Sequence, residues 1–349
     1  MRLFGRKSQD EGAGPGERVA GFWQWWESAR PELDAAVAAG ESGKMAELLG
    51  PAVAEIHADL VWELAPGGEA AHALVVTAAG DAELRSLAHR WARGAPAADL
   101  LWEFHPSRRA SADPGAVTLE AGGIEFGMDK LVLGLRVPRG ALRVDVAAYH
   151  PIFGELDESS RMDATLLALD RLLGEDEVAR WVGEITAAAA PPMDAVPAVH
   201  LPAVVADVAG DWETGQWATL EGRTASGAPL VASARYPLRP VDYPLLDQHI
   251  AITLPYRVKD QDGLPQGESL AALRTFEERL GELLGALGDD AVLAVHLSAE
   301  RRRVMHVYAD EESDAAAALK ELAATWKEGR ARVDVSADPS WSAVAAFLA

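Results

Sequence analysis

Histidine is the first residue type to consider for chemistry, because its ring titrates near neutral pH and binds metal ions. The chain has nine histidines but no H-E-x-x-H helix, no H-x-H pair and no calcium-binding loop of the EF-hand type. His296 and His306 lie on the two arms of one predicted hairpin. If its loop centres on Arg301, the two rings face each other across the strands, near enough to share a metal ion. The alternative, which we favour, is two exposed or half-buried strand residues without a metal.

Carboxylates are the second candidate, since two of them can act as general acid and base when a cleft separates their pKa values. Six of them stand close together in two groups along the sequence: Glu155, Asp157, Glu158, Glu311, Glu312 and Asp314. These positions fall in polar turns and helix starts, where an acidic side chain suits the helix dipole. We therefore interpret them as solvated surface.

The remaining catalytic motifs are absent from the sequence. Without cysteine, disulfides, thiolate nucleophiles, zinc fingers and iron–sulfur clusters are excluded. The glycine-rich stretches at 12–16, 67–68 and 122–123 match neither a P-loop nor a strand-coupled G-x-G-x-x-G, and no G-x-S-x-G turn occurs. The sequence therefore assigns no catalytic, cofactor-binding or metal-binding residue and predicts no cofactor.

Tryptophan is unusually frequent, with eleven in the chain. Trp23, Trp25 and Trp26 fall in a predicted helix, where successive residues lie about 100° apart around the axis. They cannot all face one side, so if Trp23 and Trp26 point inward, Trp25 points elsewhere. An exposed Trp25 would mark a contact with a partner or another domain. The alternative, which we favour, is that Trp25 packs under a neighbouring domain or loop.

Composition indicates an acidic globular protein. Its 349 residues exceed the size at which one hydrophobic core stops growing, which predicts two domains. The formal net charge of −22 disfavours nucleic-acid binding, because such surfaces need Lys and Arg to neutralise phosphates. No stretch approaches the ~20 apolar residues of a membrane helix, and the first residues lack the apolar core of a signal peptide. With no cysteine either, we expect a cytoplasmic protein that binds neither nucleic acid nor membrane.

The pattern of apolar residues and prolines divides the chain into four parts. Residues 1–18, polar and Gly-rich, predict a disordered tail. Residues 19–187 predict an N-terminal domain that opens with a helix ending at Gly40. Between 188 and 210, frequent prolines argue against a helix or an inner strand and predict a linker. Residues 211–349 predict a C-terminal domain.

The C-terminal domain has the clearest periodicity. Three strands precede an amphipathic helix, whose leucines and Phe276 lie on one face and whose charges lie on the other. Two more strands, a second helix and a last strand give the order βββ-α-ββ-α-β, followed by a terminal helix from Trp341. Hairpins separated by helices predict the α+β class, with two domains that are each an antiparallel sheet with helices packed on one face.

A scattered set of residues after position 210 carries a resemblance. The set is Asp211-Trp212-Glu213, Trp217, Gly227, Pro229, Ile250-Ala251-Ile252, Pro255-Tyr256, Gly263-Leu264-Pro265, Phe276-Glu277-Glu278, Val307-Tyr308, Asp338-Pro339-Ser340-Trp341 and Phe347. With this set, the region from Asp211 onward resembles the bacterial family known as domain of unknown function 695, whose members often carry an upstream region with a similar aromatic start. The resemblance implies a ferredoxin-like C-terminal domain, with distant kinship to the regulator B of ribonuclease E activity. It implies no catalytic residues.

Three functional hypotheses stay open. The first, which we favour, is a non-enzymatic protein-binding or regulatory module that uses a sheet face or the aromatic N-terminal helix. The second is an enzyme with a dispersed histidine and carboxylate site, such as a metal-dependent hydrolase. The third is an acidic inhibitor of an RNA-processing enzyme that mimics nucleic acid through the net charge of −22. A deep polar pocket would favour an enzyme, and a flat apolar patch would favour a binding module.

Overall fold

The computed structural model describes residues 14–140, 142–210 and 215–348. The chain divides into two compact units, residues 1–107 and 108–349. Both units combine helices with sheets, and most strand pairs of the second unit are antiparallel, so the predicted α+β class is confirmed. No helix in the described ranges has both the length and the apolar character needed to cross a membrane.

The first unit contains helices around a small sheet. Its helices and strands are α1 (Pro15–Ala39), α2 (Ser42–Ile56), β1 (Val61–Pro66), β2 (His72–Thr77), α3 (Arg85–Arg93) and β3 (Trp102–His105). Strand β2 is central, antiparallel to β1 and parallel to β3. Helix α1 ends where the sequence predicts, because Gly40 takes the left-handed conformation at φ +69° that glycine adopts without strain. Of the predicted disordered tail, residues 1–13 lie outside the described residues, and α1 already includes residues 15–18.

Four buried tryptophans belong to the first unit's core. Trp23 and Trp26 are buried on the inner face of α1. The Trp23 Nε1–H donates a hydrogen bond to the Trp91 carbonyl at 2.9 Å, and the Trp26 and Trp102 rings meet edge to face, 5.2 Å apart. Trp25 is half-buried and packs against the same core. It is therefore not the exposed contact residue that one hypothesis required.

The first half of the second unit carries two small sheets. Its helices and strands are β4 (Thr118–Ala121), β5 (Ile124–Gly127), β6 (Val132–Arg136), β7 (Val144–Tyr149), α4 (Glu158–Leu173), α5 (Glu175–Trp181), β8 (Val182–Ala187), β9 (Val196–Pro197) and α6 (Leu201–Gly210). Strands β4 and β5 form a hairpin, and the larger sheet has the order β8-β7-β6-β9. Its β7–β8 pair is parallel and its other pairs are antiparallel.

The segment predicted as a linker, 188–210, is part of this sheet and its core. Strand β9 pairs with β6, and α6 buries Leu201 and Val205 in the same apolar cluster. Pro202 is compatible with α6, because it lies in the first turn, where a backbone N–H has no helical partner. The chain therefore divides at 107/108, and not at the predicted boundary.

The second half of the second unit is one six-stranded antiparallel sheet with two helices. Its helices and strands are β10 (Gln216–Arg223), β11 (Pro229–Tyr236), β12 (Gln248–Pro255), α7 (Gly267–Leu287), β13 (Ala291–Ala299), β14 (Arg302–Ala309), α8 (Ala315–Ala324) and β15 (Arg332–Ala337). The spatial order is β10-β11-β13-β14-β12-β15. The predicted order βββ-α-ββ-α-β is confirmed. The predicted terminal helix is a short 3₁₀ helix, Ser342–Phe347.

This sheet is covered on both faces. Helices α7 and α8 pack on one face, where Phe276 and Leu280 of α7 join Ile252 and other strand residues in one core cluster. The 3₁₀ helix lies on the opposite face, where Trp341 and Val344 join a second cluster. The central strands are therefore buried on both sides, whereas the outer strands β10 and β15 are mostly exposed.

Arg239 holds the two halves of the second unit together. Its guanidinium lies 4.3 Å from the centre of the Trp181 ring and donates a hydrogen bond to the Leu142 carbonyl at 2.9 Å. Beside it, Arg180 of α5 pairs with Asp242 at 2.7 Å. A stacked, hydrogen-bonded guanidinium is a contact that lysine cannot reproduce, so this junction is specific in geometry as well as in charge.

A buried ion group lies at the start of the second unit. Arg108 donates a hydrogen bond to Asp170 at 3.1 Å and lies 3.9 Å from a Glu175 carboxylate oxygen. All three side chains are buried. Burial, together with the neighbouring charge of Glu175, raises the pKa of Asp170 to about 7, because desolvation and a like charge both disfavour the ionised carboxylate.

Asp170 is expected to make the protein less stable as the pH rises. Its folded pKa lies above the ordinary value of 3.8, so its contribution to stability is present at pH 4 and is lost towards pH 7. As the pH rises from 4 to 7, the difference in free energy of unfolding between Asp170→Asn and the wild type should change by about 3 kcal/mol in favour of the variant. Urea unfolding at several pH values measures the difference. Asp163→Asn, on the exposed side of the same helix, is the control and should follow the wild type. Parallel curves for the wild type and Asp170→Asn would contradict the assignment.

Candidate functional site

A cleft of about 770 Å³ lies beside helix α7 in the second unit. We name it the α7 cleft. Its walls come from α7, from strands β10, β11 and β13 and from the segment 242–246, and its main side chains are Trp217, Arg235, Asp242, Tyr243, Glu277 and Val292. The volume falls within the range of small-ligand and side-chain pockets.

The cleft exists because α7 covers only part of the sheet. Leu273, Phe276 and Leu280 direct α7 onto the central strands, and α8 packs on β12 and β15. On the side of α7 that borders the cleft, Gly281 and Gly285 stand one turn apart. A Cβ atom at either glycine would meet no atom within 4 Å. Two missing side chains thus leave open the space that larger residues would fill.

Glu277, which lines the cleft, belongs to a closed polar network. Glu277 pairs with the Arg303 guanidinium, whose Nε–H also donates to Ser298 Oγ at 2.9 Å. His296 Nδ1 lies 3.9 Å from a Glu277 carboxylate oxygen. Burial lowers the pKa of both Arg303 and His296, which favours a neutral imidazole. Asp242 is likewise engaged by Arg180.

The rim of the cleft carries an aromatic side chain and a cation. Trp217 and Arg235 are direct partners in the β10–β11 register, and the guanidinium carbon lies 5.7 Å from the Trp217 ring centre. The Trp217 ring also approaches that of His296, with centroids 5.9 Å apart. Arg235 Nε is buried and has no hydrogen-bond partner within the described ranges. The rim therefore combines an exposed indole with a guanidinium whose Nε–H lacks a partner.

The two histidines singled out by the sequence do not meet. The β13–β14 register pairs His296 with Met305 and His306 with Val295, so the two rings project from opposite faces of the sheet. The favoured alternative, two strand residues without a shared metal site, agrees with this geometry. In the described part of the chain, no three His, Asp or Glu side chains are placed to hold a metal ion.

His306 instead meets a histidine that the sequence did not single out. His249 Nε2 and His306 Nδ1 are 2.9 Å apart, and the rings stack with centroids 5.1 Å apart. Burial and the neighbouring His249 lower the pKa of His306 to about 4, and burial lowers that of His249. The pair depends on the register between β12 and β14, which are far apart in the sequence and leave no local signal.

Beside this pair, a hydrogen-bonded stack fixes the C-terminal segment. The Tyr308 hydroxyl donates to Asp338 at 2.6 Å, and the Trp341 ring stacks on Tyr308 with centroids 3.8 Å apart. Burial alone would raise the pKa of Asp338, but hydrogen bonds from Tyr308, Ser342 and Ala343 lower it. The histidine pair and this stack are packed between the sheet and the 3₁₀ helix, which indicates a structural role.

The six carboxylates singled out by the sequence all lie exposed at turns or helix starts: Glu155, Asp157, Glu158, Glu311, Glu312 and Asp314. Asp157 caps α4 by accepting the Ser160 N–H at 2.8 Å, the arrangement that the helix-start interpretation predicts. None of the six lines the α7 cleft. The sequence therefore missed the carboxylates that line the cleft, Asp242, Glu277 and Asp289. Glu277 appeared only among the residues that carry the resemblance, on the charged face of the predicted helix.

Comparison with known proteins identifies the C-terminal region alone. A model of the family of unknown function DUF695 matches residues 237–349, which confirms the predicted resemblance for this region. Of the residues that carried the resemblance, Asp211-Trp212-Glu213 lie outside the described residues, and Trp217, Gly227 and Pro229 lie upstream of the match. No curated protein and no solved structure matches the chain. The ferredoxin-like comparison and the ribonuclease-regulator kinship therefore stay predictions.

The histidine pair is expected to make the protein sensitive to acid. Because the folded pKa of His306 lies below the ordinary value of 6.5, its contribution to stability is lost as the pH falls from about 6.5 towards 4. The glutamine in His306→Gln keeps a hydrogen-bonding group but does not titrate. As the pH falls over this range, the free energy of unfolding of the variant should therefore decrease by about 2 kcal/mol less than that of the wild type. Urea unfolding between pH 7 and pH 4.5 provides the measurement. His200→Gln, at an exposed histidine, should leave the wild-type slope unchanged, and an equal effect of both variants would disprove the assignment.

Proposed function

We propose that residues 215–348 form a peptide-binding module, which holds an extended segment of a partner protein as an added strand beside β10. One observation carries this proposal: within the described residues, β10 pairs with β11 on one side and with no strand on the other. At the same edge, Trp217 and Leu220 are 44% and 42% exposed. An unpaired edge strand offers a row of backbone donors and acceptors to another chain.

The two edges of the sheet differ in a way that favours β10. Strand β15 has six residues, and its exposed Arg332 and Asp334 pair with each other. Short length and charges are the usual means by which proteins protect an edge from pairing. Strand β10 has eight residues, and its first five, Gln216 to Leu220, carry no charge. The unprotected edge is therefore the one beside the cleft.

An added strand at β10 would place side chains in two environments. Side chains alternate along a strand, so every second residue of the segment would point to the helix-covered side of the sheet. That side holds Trp217 and the α7 cleft. Backbone pairing would then supply affinity without sequence preference, and the cleft would supply selectivity, as in other modules that bind a peptide as an added strand.

The polar groups of the cleft also support binding over the hydrolase alternative. Glu277 and Asp242 are engaged by Arg303 and Arg180, which leaves neither carboxylate free to exchange a proton with a substrate.

The proposal includes a cytoplasmic location. It is supported by the absence of cysteine from the chain, because proteins of oxidising compartments commonly use disulfides for stability.

The proposed strand addition can be tested with peptides selected from a random displayed library against the purified full-length protein. Hydrogen exchange then reports where the peptides bind. We expect the backbone amides of β10 to exchange more slowly with peptide present and those of β15 to be unchanged. Peptides that protect β15 or the first unit, or a selection that yields no binder, would overturn the proposal.

The same peptides allow a test of the exposed indole. Trp217→Ala should weaken binding at least tenfold, because a tryptophan at the centre of an interface contributes about 2 kcal/mol. Val335→Ala is the matched control, since Val335 is a partly exposed apolar residue on the opposite edge strand. It should bind as the wild type does, and both variants should unfold at nearly the wild-type urea concentration. Equal affinity of the wild type and Trp217→Ala would exclude β10 as the docking edge.

A further inference from the structure

We infer that the α7 cleft recognises a carboxylate next to an apolar or aromatic group, so that a segment bound at β10 carries an acidic side chain or a chain end at this position. The inference rests on the proposed function and adds the chemistry of the bound segment. Two observations carry it: the Arg235 guanidinium, which lines the cleft beside Trp217, and the open volume next to it.

Arg235 is the cation of the cleft that is left for a ligand. In the described ranges, Arg303 is neutralised by Glu277 and Arg180 by Asp242, whereas Arg235 contacts the uncharged face of Trp217. The Arg235 Nε–H has no acceptor among the described residues, and an arriving carboxylate would form charge-assisted hydrogen bonds with the guanidinium group. The indole face would hold the guanidinium plane in place for this contact.

The acidic groups around the cleft do not cancel this site. Asp289 also lines the cleft, and it lies just before the start of β13. Arg235 lies beside the middle of β13 instead, because its neighbour Ala234 pairs with Val295. The two charges therefore stand at different ends. Because salt screens exposed charges beyond about 8 Å under physiological conditions, the net charge of −22 affects the approach of an anion more than its binding to Arg235.

The volume between these ends suits an apolar group. Leu284, Val292 and Tyr243 line it, and Gly281 and Gly285 leave their side-chain positions empty. Removing an apolar or aromatic side chain from water here would add to affinity roughly in proportion to the area buried. A carboxylate on Arg235 with such a group beside it would use both parts of the cleft.

Phenylacetate is a minimal probe of this arrangement, and phenylacetamide is its neutral counterpart of the same shape. The full-length protein is labelled with fluorotryptophan, and the Trp217 resonance is assigned from Trp217→Phe. We expect phenylacetate to shift this resonance with an affinity at least tenfold above that of phenylacetamide. In Arg235→Gln, the two probes should bind equally. Equal affinity of the two probes for the wild type, or a preference for phenylacetate that persists in Arg235→Gln, would overturn the inference.

A second pair of variants tests the location. Gly285→Leu should fill the cleft and abolish binding of both probes, and it should not destabilise the fold, because leucine favours a helix by nearly 1 kcal/mol relative to glycine. Ala286→Leu, on an exposed part of the same helix outside the cleft, should leave binding unchanged. Binding that survives Gly285→Leu would place the probes elsewhere and refute the inference.

The probes and the peptides fail separately. Neither small probe can pair with β10, so a missing preference for phenylacetate refutes carboxylate recognition and leaves strand addition standing. Peptides that protect β10 but show no enrichment in acidic residues or free chain ends would likewise refute carboxylate recognition and leave strand addition standing. A retained phenylacetate preference without any β10-protecting peptide would refute strand addition and keep the carboxylate site.

Discussion

The alternation of side chains across the six-stranded sheet decides what each group in the C-terminal region can reach. Strands β12, β13 and β14 are buried on both faces, so a slip of one residue would exchange two complete sets of side chains. On β14, Met305 and Val307 face the helices, whereas His306 and Tyr308 face the 3₁₀ helix. The two-residue turn Glu300-Arg301 pairs Ala299 with Arg302, and the same register places His296 opposite Met305 and His306 opposite Val295. The two histidines therefore lie on opposite faces of the sheet.

This constraint explains why charged groups in the region come in partnered sets. A charge inside a sheet layer is tolerated only with compensating hydrogen bonds or an opposite charge, and Arg303 has both in Ser298 and Glu277. The histidine pair needs no opposite charge, since burial favours the neutral rings and one hydrogen bond joins His249 Nε2 to His306 Nδ1. Against this background Arg235 stands apart, because its rim position gives it an aromatic neighbour but no anion among the described residues.

Sequence patterns predicted what depends on local periodicity. The element order of the C-terminal region, the stop of α1 at Gly40 and the inward-facing pair Trp23 and Trp26 all follow from spacings of two, three or four residues. What the sequence could not supply depends on contacts between distant segments. The His249–His306 pair is set by strand register, and the helix in 188–210 depends on a core that accepts Leu201 and Val205. The cleft did leave one local signal, which is the pair of glycines at 281 and 285 on one side of a predicted helix. From the sequence alone these glycines indicate only low helix propensity, because the open space beside them depends on the neighbouring sheet.

The family match and the proposed edge fall on different parts of one sheet. The matched region begins at residue 237, after β11, so it supplies β12 to β15 and both helices, with β13 on their outer side. Hairpin β10–β11 extends this four-stranded arrangement past β13 and carries Trp217 and Arg235 with it. Since only the outermost strand of a sheet can accept another chain, the hairpin moves the available edge from β13 to β10. The matched region thus provides Glu277, the α7 glycines and the apolar side chains of the cleft, while Trp217, Arg235 and the proposed pairing edge come from the hairpin upstream of it.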